Sequence, residues 1–491
     1  MIIVGAYPRS FAADQADPLP PIRRVDAVLA DLAPARTALH LLPFYPSDGD
    51  GGFAPNDWFS VAPEFGDLTD IAAVARHRPL IVDGIYNHVG INHRWCRQFF
   101  HGEGGDHRLR VLKEGELPTA LSPRGWPVIH RYLVGGVPRL VWQTFSRESV
   151  DLDLSDAEVI EEVDRHLDML VALGVHGVRL DAPAYYGKPV DHPQRHSAES
   201  VRFFRRIAAM CARRRLAVLA QLNCDEAGGS YTVPGPPPFL QDYALPALMA
   251  AAVLDSTITE LVRHLRGTWS SARVVRPLRT HDGILLRTGS SEDHRLLAIA
   301  QVCQAYGIPV RQINGQPYEV NSSFPRICSV GADPRQEQDA ISLALTLLLL
   351  IPGSPYIYLP ILFGWRPETA APARGTGDPR SVNRIPISRE RAALAEESGF
   401  LDRVRDTLGR LAALRADLEL DQAYEDDFVR ELEPGIVVIG RRSRLTAVLN
   451  FRRAESWEGR APCASAGHQR VSVGPRGAAL CVHDDVLNGA A

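Results

Sequence analysis

The feature that most constrains this chain is a rhythm of short apolar runs, each stopping abruptly at polar or glycine-rich residues, with helix-patterned stretches between them. Runs at 2–4, 38–42, 80–82, 175–180 and 216–222 have strand length and lead straight into loop-type residues. The clearest helical pattern spans 155–173. There Val159, Val163, Leu167 and Leu170 recur at helical spacing, Ser155 and Glu158 read as a capping box, and Gly174 marks the end. Parallel strands need crossover connections, so this alternation argues for a parallel sheet, and the length favours closure into a (β/α)₈ barrel over an open sheet.

Two stretches break the rhythm. Residues 90–150 are rich in glycine, proline and aromatics and read as an inserted B-type domain; residues 366–383 read as a loop on the upper face of the barrel. Past about residue 435 the pattern turns to short alternating strands, IVVIGRR and LTAVLNF. The expected division is therefore 1–89 and 151–430 for the barrel, 90–150 for the insertion, and 431–491 for a small C-terminal β domain.

Bulk properties exclude several classes of function. A net charge of −4 gives no basic face for nucleic acid or an anionic membrane. The apolar run 341–351 is too short to span a bilayer and reads as a buried helix. Seven scattered cysteines without a C-x-x-C pair argue against a disulfide framework and a zinc site, and with no signal-like N-terminus the expected location is cytoplasmic. The stretch HGEGGDH (101–107) reads as a polar loop more readily than as a metal site. No phosphate-cradling glycine motif follows a strand, so nucleotide sugars are not indicated.

Polar residues gather where the strand-like runs end: Asp50 and Phe53 in SDGDGGF, His88 in IYNHVG, Arg179 and Asp181 in GVRLDA, Gln221 in LAQLN, and His281 and Asp282 in RTHDG. Strand ends of a parallel barrel open into one mouth, so residues far apart in sequence are expected to converge there. On these motifs, with HLLPFYPSDGDGGFAPNDWFSVAPEFGDLTDI and DPRSVNR, the chain resembles the α-amylase superfamily of glycoside hydrolases, and within it the sucrose phosphorylase and glucosylglycerate phosphorylase group.

The resemblance implies roles position by position. Asp181 would be the nucleophile that forms a covalent glucosyl-enzyme, and Arg179 would hold it ionised. Asp282 would grip the sugar as the oxocarbenium-like transition state forms, with His88 and His281 bonding the same ring. Asp50 and Arg384 would hold the far edge of the sugar, and Phe53 would wall the pocket. Lys188 matches a lysine after the nucleophile strand, either near the acceptor or on the surface. No organic cofactor and no metal are implied; phosphate or a sugar phosphate would be a substrate, the partners are a sugar donor and acceptor, and a homodimer is compatible.

One position departs. Where the group carries a glutamate that works as general acid and base, this chain has Gln221, and its neighbours Ala220, Asn223 and Cys224 also differ from the group's motif. An amide donates a hydrogen bond but transfers no proton, a function worth about 10²–10⁴-fold in rate. Three explanations follow: a natural transferase using an activated donor such as a sugar 1-phosphate, a phosphorylase inactivated by a Glu→Gln change, or a glucoside-binding pseudoenzyme. Altered neighbours and an intact Asp181 favour the first. Asp225 or Glu226 could supply a displaced acid.

Overall fold

The computed structural model describes the chain apart from residues 12–17, 114–125, 190–194, 225–230, 234, 271–272, 287–293, 314, 367–378, 464–466 and 483–491. Eight strands carry the architecture: β1 (Ile3–Ala6), β2 (Ala38–Leu41), β3 (Leu80–Gly84), β4 (Gly177–Leu180), β5 (Ala217–Asn223), β6 (Phe239–Gln241), β7 (Val274–Pro277) and β8 (Ser354–Tyr358). They close into a barrel whose neighbours follow chain order from β1 to β8 and back to β1. The pairs β2–β3, β3–β4, β4–β5, β5–β6, β7–β8 and β8–β1 are parallel. Strands such as β1, β2, β4 and β7 are buried at every residue, which is why they read as continuous apolar runs and not as alternating ones.

Helices follow the strands as the rhythm predicts. They include α1 (Pro21–Leu32), α2 (Leu68–His77), α3 (Ala157–Ala172), α4 (Ala198–Arg213), α5 (Leu245–Asp255), α6 (Thr259–Thr268), α7 (Pro334–Leu350) and α8 (Phe400–Asp417). The start of α3 corrects the capping expectation. Asp156, not Ser155, is the N-cap, its carboxylate accepting from the backbone N–H groups of Glu158 and Val159. Ser155 is already engaged, donating its hydroxyl to Asp153 at 2.5 Å. The apolar run 341–351 falls in α7, which buries Ile341, Leu343, Leu345 and Leu347–Leu350 and starts at a capping box of Asp333 and Gln336. Among the described residues no helix is long and apolar enough to cross a membrane, and Cys96, Cys211, Cys224, Cys303, Cys328 and Cys481 carry free thiols.

The chain divides into two compact units. The first comprises Ala6–Ala27 and Ala38–Gln241. Beyond its share of the barrel it holds a three-stranded antiparallel sheet of Val111–Leu112, Ile129–Val134 and Val137–Trp142, with a small core of Leu112, Val128 and Trp142. The second comprises Met1–Gly5, Val28–Thr37 and Asp242–Ala491. The runs IVVIGRR and LTAVLNF form antiparallel strands in it, Ile436–Arg441 and Leu445–Asn450, flanked by Phe428–Glu433 and Ala478–Val482. Trp457, Val471 and Val473 from an adjoining hairpin pack on Ile436, Val438 and Val448.

Candidate active site

In the first unit the candidate residues meet at the ends of β3, β4 and β5. Asp83 near the end of β3 lies in register with Arg179 of β4, and Arg179 with Leu219 of β5, so the pleat aligns these positions laterally. Asp181 directly follows β4 and anchors its backbone N–H to Gly84 O at 3.1 Å. The Arg179 guanidinium donates to Asp181 Oδ1 at 3.0 Å and also to Asp83 Oδ1. Arg179, Asp181 and Asp83 are all buried. A cation this close to a carboxylate in a medium of low polarisability favours the ionised form, the state a carboxylate nucleophile needs.

Asp83 is in turn held by His40 Nε2 at 3.1 Å, and its backbone carbonyl accepts from the Tyr45 hydroxyl at 3.0 Å. Neither Asp83 nor His40 was marked by the sequence reading. LIVDG reads as a strand running into a turn, and only the parallel register puts its aspartate beside Arg179. Phe53 lies under the same guanidinium, with Cζ of Arg179 5.5 Å from its ring centroid. Such an approach contributes about 0.5–2 kcal/mol. Asp50 opens a 3₁₀ turn, Asp50–Gly52, and has a left-handed φ of 49°, followed by Gly51 at φ 65° and Gly52 at φ 105°. The paired glycines of SDGDGGF let the chain make this turn, while Asp50 adopts it at a steric cost.

His88 is buried, and its tautomer follows from its partners. Nε2 meets the Phe53 carbonyl at 2.6 Å, an acceptor only, so Nε2 carries the hydrogen. Nδ1 then accepts from the Asn87 amide at 3.1 Å. Asn87 is oriented by Lys188, whose Nζ donates to Asn87 Oδ1 at 2.9 Å and pairs with Asp151 at 3.2 Å. Lys188 is therefore not a solvated surface lysine: it is buried, held between Asn87 and Asp151. Burial lowers its pKa, and the Asp151 carboxylate opposes that shift.

Gln221 lies on β5, half-buried, and its Oε1 accepts from the backbone N–H of Ala182 at 2.8 Å. Only the carbonyl end of an amide can accept from an N–H, so this contact fixes which way the side chain faces. Ala182 itself sits at φ 49°, ψ 37°, in the left-handed region that a Cβ disfavours. The altered neighbours Ala220 and Asn223 are buried, and the Cys224 N–H bonds Gln241 O at 2.8 Å, continuing the β5–β6 ladder. Asp225 and Glu226 lie outside the described residues.

In the second unit, His281, Asp282 and Arg384 come together beyond the end of β7. Arg384 and Arg380 each donate to Asp282 Oδ1 at 3.1 Å, and His281 Nε2 stands 3.5 Å from the same oxygen. Arg380 also pairs with buried Glu319 at 2.9 Å, and Arg311 reaches that carboxylate at 3.2 Å. Burial alone would lower the Arg380 pKa; Asp282 and Glu319 outweigh it and raise it. Arg380 was missed in sequence because it is one more arginine in DPRSVNR, four residues before Arg384, with nothing local to show its partners. Outside both groups, His107 of HGEGGDH is half-exposed and pairs with Glu158 at 3.5 Å, as a polar loop residue does.

Residues 7–223 match the model of the alpha-amylase catalytic domain. Glucosylglycerate phosphorylase of Spirochaeta thermophila is 28% identical over 392 residues, covering 75% of this chain and 64% of that protein, under two thirds of its length. Sucrose phosphorylase of Agrobacterium vitis is 26% identical over 401 residues, covering 75% of this chain and 80% of that protein. The crystal structure of sucrose 6F-phosphate phosphorylase from Thermoanaerobacter thermosaccharolyticum superposes with a TM-score of 0.76 at 17% identity, covering 96% of this chain and 98% of that one. Over residues 7–223 this chain is thus similar to the catalytic domain of the alpha-amylases, and its closed parallel barrel is the fold of the superposed structure.

Proposed function

We propose that the protein transfers an α-glucosyl-type unit with net retention, taking it from an activated donor such as a sugar 1-phosphate. The observation that carries this reading is a carboxylate poised for nucleophilic attack next to an amide that cannot move a proton. Asp181 is held ionised by Arg179, and the residue after it is bonded to Gln221. In the first half-reaction Asp181 attacks the anomeric carbon, the bond from that carbon to the leaving oxygen breaks, and a glycosyl ester of Asp181 forms. Asp282, held by Arg380 and Arg384, is the carboxylate assigned to the sugar hydroxyls as positive charge develops.

Gln221 selects the donor. A sugar hydroxyl leaves only if protonated, and without an acid that step loses about 10²–10⁴-fold. A phosphate ester departs as an anion whose second pKa is about 6, so it leaves unaided. The named relatives are phosphorylases, which favours a phosphate-bearing donor.

The test is to incubate the protein separately with α-glucose 1-phosphate and with sucrose and to read intact mass. Hexosyl addition that maps to Asp181 from the phosphate donor alone is the expected result. Equal labelling from sucrose overturns the donor assignment. Addition from neither donor overturns the transfer itself. Gln221→Glu is expected to raise turnover of sucrose-type donors by about 10²-fold or more.

A further inference from the structure

A strand outside the barrel, Gln316–Val320 of the second unit, carries a carboxylate that the transfer chemistry above leaves without a role. Glu319 has no exposed surface, so it cannot touch a ligand itself. We infer that Glu319 is a positioning residue, which acts through Arg380 to set Asp282 in place for the sugar; this rests on the transfer reading above and on the part it gives Asp282. The Arg380 guanidinium bridges the two carboxylates. Its Nε and Nη2 donate to Glu319 Oε2 at 3.1 and 2.9 Å, and its Nη1 donates to Asp282 Oδ1 at 3.1 Å. A planar fork held at two of its nitrogens points the third in a fixed direction. The Arg380 and Asp282 side chains keep 14% and 16% of their surface exposed, so the contacts run from the closed interior to a carboxylate that a ligand can reach. The Glu319 end is fixed in turn, for Arg311 and Asn321 donate to its Oε1 at 3.2 Å each. Burial raises the Glu319 pKa; Arg380, Asn321 and Arg311 outweigh that and lower it, so the grip on the guanidinium is charge-assisted.

A second observation ties the same carboxylate to Asp282 from the backbone side. The strand carrying Glu319 pairs with Ile284–Leu285, which starts just past Asp282. Between them Gly283 lies against Glu319: a Cβ there would stand 2.6 Å from Oε2, closer than real Cβ atoms approach. The φ of Gly283 is not left-handed, so this glycine supplies room and not conformational freedom. Glu319 thus abuts the chain next to Asp282 on one side and holds the cation of Asp282 on the other. Without its charge, the Nε edge of the Arg380 fork is released and turns toward Asp282, the carboxylate it already touches. An aspartate gripped harder by a cation and shifted from its place serves the developing positive charge less well, and a misplacement of about 1 Å costs about a hundredfold in rate. The loss falls on the transition state more than on the bound donor, since the contact with Asp282 strengthens as charge develops.

The experiment compares the full chain with Glu319→Gln, which keeps the size and removes the charge. Hexosyl addition to Asp181 from α-glucose 1-phosphate is timed by intact mass over a range of donor concentrations. The amplitude of addition counts the folded, competent molecules, so the rate is read free of any loss in folding. The maximal rate is expected to fall about a hundredfold, with less than about a threefold change in the half-saturating donor concentration. In an Arg380→Gln background, Glu319→Gln should subtract nothing further, because the two residues act in series; a merely structural role would subtract again. Gly283→Ala alters no charge but pushes on the same carboxylate, and it should lower the maximal rate about tenfold or more. An unchanged maximal rate in Glu319→Gln, or a second full loss in the double variant, overturns the inference while leaving the transfer reading standing. Should Glu319→Gln fail to fold, an unchanged rate in Gly283→Ala overturns it instead. Absence of hexosyl addition in the unaltered protein overturns both.

Discussion

Protonation of His166 is the perturbation whose cost the structure lets one work out. This histidine sits on α3, fully buried among Tyr45, Trp58, Phe59 and Tyr86. Tyr45 already donates its hydroxyl hydrogen to Asp83 O, so His166 Nε2 donates to Tyr45 at 3.3 Å, and Nδ1 accepts from Tyr86 at 2.9 Å. Burial lowers its pKa from 6.5 to about 3, with Asp57 opposing weakly. The folded-state value lies below the unfolded one, so the unfolded chain takes up the proton first as pH falls. The contribution to stability is intact above pH 6.5 and is lost progressively toward pH 3. At about 1.4 kcal/mol per pH unit, the 1.5 units between 6.5 and 5 amount to about 2 kcal/mol.

The assay is urea unfolding of the protein and of His166→Gln, followed by tryptophan fluorescence, at pH 7 and pH 5. The comparison cancels every other titrating group, including buried His93, which also falls to about 3. The stability gap between the two proteins should narrow by about 2 kcal/mol on acidification. A gap constant to within about 0.5 kcal/mol would refute the claim that this imidazole is kept neutral by the fold.

Two further expectations concern buried pairs. Lys188→Met should cost about 3 kcal/mol in urea unfolding, because Asp151, fully buried, is left without its cation; it should also lower kcat, since Asn87 then loses the contact that aims it at His88. In the C-terminal sheets, Arg441 and Asp427 pair at 2.9 Å with no exposure on either side chain, and Arg441→Met should lower the thermal midpoint by an amount equivalent to about 3 kcal/mol.

The barrel and one end of its chemistry were legible in sequence because both depend on local order. A strand that stops at a polar residue announces its own end, and GVRLDA carries Arg179 and Asp181 two residues apart on one strand face. What stayed hidden depends on lateral pairing between distant segments. Asp83 becomes a partner of Arg179, and His40 of Asp83, only through the β2–β3–β4 register, and Arg380 and Glu319 meet only in the folded second unit. Lys188 misled for the same reason: a lone lysine in a glycine-proline stretch looks solvated until Asn87 and Asp151 are seen around it. The helix start at 155–158 was ambiguous because serine and aspartate stand side by side, and Asp153 claims the serine.

The sharing of Arg179 has a consequence for the sugar that would arrive. One guanidinium is shared by two buried carboxylates, Asp83 and Asp181, and His40 also meets Asp83. A neutral glycoside meeting such a patch gains little. A sugar ring that is becoming cationic would gain more, because carboxylates in the interior are poorly screened. On the proposed transfer reading, the resting protein would thus favour the fleeting species on the path over the stable molecules at either end.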